Sequence, residues 1–208
     1  MEQDICEYVL EHYRDKVEEA LVETQRRNVE HGFVIIGNVG DRPQIQIQQG
    51  EAGSIDLPYI QADYDIGIVF HTHPTSRGGG VRVVESLRSP TDYGLFINYH
   101  VQPDNPPMER EDGFVRGDVN AAVTDESDDE MEFVLRGIQT ADGLVGKTAE
   151  ERRELALAMG GVVDGAYDNP AVPDWVEPPD AEGIVEGIRE VAPGTVRSCD
   201  SFGNTFEV

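Results

Sequence analysis

Ile5, Val9, Leu10, Tyr13, Val17, Ala20, Leu21 and Thr24 recur at steps of three and four residues, with charges between them. That spacing predicts an amphipathic helix over residues 3–27. Phe33-Val34-Ile35-Ile36 is a short apolar run, followed at 38–43 by a turn rich in Gly, Asp and Pro. Residues 44–48 then alternate Gln-Ile-Gln-Ile-Gln, the pattern of a half-buried strand, so the two runs predict a β-hairpin. After a polar, turn-rich stretch at 56–65, Ile66-Gly67-Ile68-Val69-Phe70 is almost continuously apolar. Such a run suits a strand buried on both faces. At its C-terminal end stands His71-Thr72-His73-Pro74, where Pro74 forces the chain to turn.

Residues 75–88 read as a loop, with glycines at 78–80 and arginines at 77, 82 and 88. Ser89-Pro90-Thr91-Asp92 has the form of a helix start: serine as the cap, proline in the first turn, an acid at the third position. The helix would run through Tyr93, Leu95, Phe96, Ile97 and Tyr99, and a proline-rich connector follows at 102–112. Residues 121–123 and 131–138 predict two strands around the acidic turn 125–130. This order of elements fits an α/β (α+β) domain spanning residues 1–139. Residues 140–208 form a C-terminal extension, expected to pack on that core. It contains helix candidates at 148–159 and 181–191, and a proline-rich segment at 168–180 carrying the single tryptophan, Trp175. Short runs at 195–199 and 205–208 could close a final hairpin.

A chain of 208 residues can bury a substantial core. It carries 41 Asp and Glu against 16 Lys and Arg, a formal charge of −25, and only Lys16 and Lys147 are lysines. This balance is expected of a protein working in molar salt, where screening suppresses self-repulsion. It also argues against binding nucleic acid, whose phosphates need basic patches. Cys6 and Cys199 do not make a disulfide framework, and reduced thiols in a cytoplasm are expected. Met-Glu-Gln-Asp-Ile-Cys has neither a basic region nor an apolar run, so no secretory signal is expected. No apolar run approaches the length of a membrane span.

His71 and His73 stand two residues apart at the end of a predicted strand. They would project from one face, with Cα atoms about 6 to 7 Å apart, and could converge on one ion. Asp92, in the first turn of the next helix, would add an oxygen, and the helix N-terminus favours its ionised form. A His/His/Asp set leaves a fourth tetrahedral position for water, the arrangement of a catalytic zinc, one per chain. Glu30, ahead of the first apolar strand, is the candidate general base for that water. Ser89 can accept from the helix's free N–H groups and donate its own proton to a developing oxyanion.

Together, Glu30 with Gly32 two residues and Gly37 seven residues after it, His71-x-His73-Pro74, and Ser89-x-x-Asp92 resemble the JAMM motif of the MPN+ metalloprotease family. The resemblance covers about residues 5 to 140. It implies a curved β-sheet flanked by helices, zinc on His71, His73 and Asp92, Glu30 as general acid and base, and Ser89 as oxyanion stabiliser. Many family members cleave isopeptide bonds between a ubiquitin-like modifier and lysine. In salt-loving archaea, similar proteins (desampylases) remove small modifiers from conjugates. The chain departs from the family in the 18 residues separating His73 from Asp92, a longer interval than usual, which leaves substrate class open.

Each piece also has a plainer reading. Ser89 and Asp92 would serve as a helix cap worth about 1 kcal/mol, Glu30 as a solvated charge, and His31 and His100 as surface or packing residues. Arg77, Arg82 and Arg88 suit either a solvated loop or an acidic, modifier-like partner. Three functions therefore stand: a zinc isopeptidase or peptidase, a non-catalytic MPN-type interaction module, and a metal-dependent hydrolase of a small amide. The complete set of five residues favours the first.

Overall fold

The computed structural model describes residues 4–38, 40–51, 55–58, 64–72, 115–126, 131–139, 147–167, 181–193 and 196–204. Helix α1 spans Ile5–Arg27. Asp4 caps its start, its carboxylate accepting from the Cys6 N–H at 2.8 Å. At the other end Asn28 closes it in the left-handed region (φ 54°), donating its N–H to the Thr24 carbonyl at 2.8 Å.

The strands are β1 (His31–Gly37), β2 (Gln44–Gln49), β3 (Ile66–Thr72), β4 (Val115–Glu126), β5 (Met131–Gln139) and β6 (Val196–Asp200). Helices α2 (Ala149–Tyr167) and α3 (Ala181–Val191) lie between β5 and β6 in the chain. One mixed sheet joins all six strands in the order β2-β1-β3-β4-β5-β6. Only the β3–β4 pairing is parallel; the other neighbours run antiparallel. The mixed α/β class read from the sequence is therefore present. The strand β6 carries the chain beyond residue 140 back into the same sheet.

Alternation along the strands divides the sheet into two faces. On one face Phe33, Ile35, Ile68, Phe70, Val119, Ala121, Phe133, Leu135 and Cys199 are buried together with α1 residues Ile5, Val9, Val17 and Leu21. The Phe33 and Phe70 rings stack at 4.5 Å in this core. Cys6 and Cys199 are free, buried thiols, and hydrogen bonding to Cys199, then burial, holds the Cys6 thiol well above its usual range. On the other face Val34 and Val69 pack with Ile36, Leu57 and Tyr64.

The hairpin expected at 31–49 is present, and β3 is buried throughout its length. The half-buried reading of the Gln-Ile alternation is corrected. Strand β2 lies at the sheet edge, and its Ile45 and Ile47 are 38% and 60% exposed. These two isoleucines share the α1 face with their partners Ile35 and Phe33, but α1 packs over the neighbouring strands instead. Strand β4 and helix α2 both extend beyond the predicted runs. In α2, Gly187 of α3 comes so close that an added Cβ would lie 2.6 Å from Val162. The predicted helix from Ser89, the proline-rich segment around Trp175 and the run 205–208 lie outside the described residues. No helix among the described residues is long and apolar enough to cross a membrane.

Candidate functional site

Glu30 stands immediately before β1, its backbone bonded toward β2: its N–H donates to Glu51 at 2.9 Å, and its carbonyl accepts from Gly50 at 2.8 Å. His71 is the penultimate residue of β3 and pairs across the ladder with Gly32. Glu30 and Gly32 share a strand face, so Glu30 lies on the diagonal from His71. Both side chains are buried, Glu30 at 8% and His71 at 5% exposure. They occupy one end of the sheet, on the face opposite α1. Of the five residues singled out in the sequence, Glu30 and His71 are described, both at this end of the sheet. His73, Ser89 and Asp92 lie outside the described residues.

Gly32 makes the pairing possible. A Cβ there would stand 2.4 Å from the Phe70 carbonyl oxygen and 3.1 Å from the His71 Cβ. The bare Cα lets β1 and β3 close up beneath the imidazole. Among the described residues no three His, Cys, Asp or Glu side chains converge on one point. His71 alone of the three proposed ligands is described. The buried His71 imidazole fits one nitrogen donor of a zinc site.

The face that carries Glu30 and His71 holds residues the sequence did not single out. Asn120 pairs with His71, Arg136 with Asn120, and Ser198 with Arg136. These positions form one row across four strands. Asn120 and Ser198 are buried at 1% and 4% exposure, and Arg116 and Asp118 of the same β4 face at 3% each. A sheet face packed only for stability would hold apolar side chains here. Here the buried row that begins at His71 is polar instead. The sequence Arg-Gly-Asp-Val-Asn carries the alternation, but polar-out alternation reads as solvent exposure until the sheet order is known.

His31 and Thr72, the neighbours of Glu30 and His71, point to the α1 face. His31 is buried there, not on the surface. A groove of about 460 Å³ lies on that same side, lined by Lys16, Glu23, Arg27, His31, Phe33 and Ile47. No protein-family model, curated protein or solved structure matches the chain.

Proposed function

We propose that the chain is a zinc-dependent metallopeptidase of the JAMM type, with the MPN-like fold that this implies, cleaving an isopeptide or peptide bond. The bond most in keeping with the motif joins a ubiquitin-like modifier to a lysine. The observation that carries the reading is the shared burial of Glu30 and His71 at one sheet end, closed over Gly32. A solvated Glu30 would have no reason to be buried beside the strand that ends in the histidine motif.

In this reading His71, His73 and Asp92 hold the metal. Zinc, when bound, supplies a water of lowered pKa and a Lewis acid toward the scissile carbonyl. The Glu30 carboxylate accepts a proton as water adds to the carbonyl carbon, and returns it to the departing amine as the C–N bond breaks. The Ser89 hydroxyl donates a hydrogen bond to the oxyanion that develops meanwhile. The acidic surface fits a cytoplasm of high salt.

Cleavage in molar KCl of a modifier–lysine conjugate and of a linear fusion, each with and without a strong chelator, tests the reading. Chelator-sensitive release of the modifier is expected, restored by added zinc. Cleavage indifferent to chelation would exclude the metal mechanism.

A further inference from the structure

Beneath the candidate site, on the α1 face, three polar residues are buried together: Thr24 at 1%, His31 at 8% and Thr72 at 0% exposure. The Glu30 backbone bonds toward β2, so the next residue, His31, turns its N–H and carbonyl toward β3. There both meet a side chain. The His31 N–H donates to Thr72 Oγ1 at 3.2 Å, and the Thr72 hydroxyl donates to the His31 carbonyl at 3.1 Å. Among the described residues the Cα pairing of β1 with β3 ends at Gly32–His71. A threonine hydroxyl thus takes the place of the last backbone bonds of the ladder.

That hydroxyl is itself held from the helix. Thr24 Oγ1 contacts Thr72 Oγ1 and lies 3.2 Å from His31 Nδ1, which is also 3.1 Å from the Val29 carbonyl. The Val29 carbonyl can only accept, so Nδ1 carries the proton and shares it between Val29 and Thr24; Thr24 then donates to Thr72, and Thr72 donates to the His31 carbonyl. The ring closes through residues 24, 31 and 72. Two of these directly adjoin Glu30 and His71 in the chain, and strand alternation puts those neighbours on the opposite face.

We propose that Thr24 is a positioning residue for the site. Through Thr72 and His31 it fixes where β3 leaves the sheet, and so holds His71 in register with Glu30. The inference rests on the zinc reading above and adds to it a residue of α1 with no place in the motif. Groups that orient a metal ligand from outside the coordination sphere typically change affinity by about 10- to 100-fold when removed. A merely structural hydroxyl would lower stability and leave zinc affinity alone.

The test compares the full-length wild type with Thr24→Val and Thr24→Ser. Zinc affinity is measured by competition with a chelating dye, alongside thermal unfolding of the metal-free proteins and kcat on the conjugate. The expected result is about 10- to 100-fold weaker zinc binding and a lower kcat at similar KM in Thr24→Val, with wild-type behaviour in Thr24→Ser. Should Thr24→Val not fold, Thr24→Cys replaces it, since a thiol is a weak hydrogen-bonding group of similar size. Zinc affinity and kcat within twofold of wild type in Thr24→Val, or in Thr24→Cys where that stands in, overturn the inference while the zinc reading stands. A wild type that takes up no zinc overturns both.

Discussion

Glu30→Gln is expected to take up zinc at the wild-type ratio and to lose about 100- to 10,000-fold in kcat, the range that a positioned general base contributes. Glutamine matches the shape of glutamate, so the backbone bonds of residue 30 to Glu51 and Gly50 have no cause to change. What changes is the capacity to accept a proton from water and return it to an amine. Glu30 lies on the diagonal from His71 and is not among the residues assigned to the metal, so ligand loss does not complicate the comparison. Rates on a lysine-linked conjugate, with metal content from the same sample, check this. Full activity in the variant would remove Glu30 from the mechanism and return it to the reading of a structural carboxylate.

Gly32→Ala is expected to damage both fold and site. The new methyl would meet the Phe70 carbonyl oxygen at 2.4 Å, and that atom is backbone. Side-chain rotation cannot relieve such a contact, so β1 and β3 must separate locally. Forcing an extra methyl into a packed interior costs about 1 to 3 kcal/mol, and a backbone clash belongs at or above the upper end. The damage falls at the Gly32–His71 pair, so zinc affinity should fall along with the unfolding midpoint. Thermal unfolding of the metal-free variant and zinc titration at a temperature where it is folded separate the two effects. An unchanged midpoint would show that the strands are not as closely paired as described.

Much of the fold was legible because its burial follows the elementary periods. Helix α1 shows its apolar stripe, and Ile5, Val9, Val17 and Leu21 all lie in the core. The run from Ile66 to Phe70 reads as a strand covered on both faces, and β3 packs Ile68 and Phe70 under α1 and Val69 against the opposite cluster. Alternation alone did not reveal which side of a strand meets solvent. The Gln-Ile repeat of β2 suggested a buried stripe, yet the strand lies at the edge and the stripe is exposed. The reverse holds for β4, where Arg116, Asp118 and Asn120 look like solvent-facing positions and are buried. Both outcomes depend on strand order, which is set by contacts between segments far apart in the chain.

Of the candidate site, Glu30 and His71 are the two residues that the described structure includes. Residue types and spacing pointed to Glu30 and His71, and the β1–β3 register brings them to one end of one face. The contribution of Thr24 was not legible. It lies 48 residues from Thr72, and a threonine on the buried side of a helix carries no sequence signal of its own.

In the proposed reading His71 belongs to a zinc site. Its most direct test is metal content after exhaustive dialysis, measured on the wild type and on His71→Ala. One zinc per chain in the wild type and a loss to background in the variant are predicted. A wild type without zinc, or a variant that retains it undiminished, would exclude His71 as a zinc ligand.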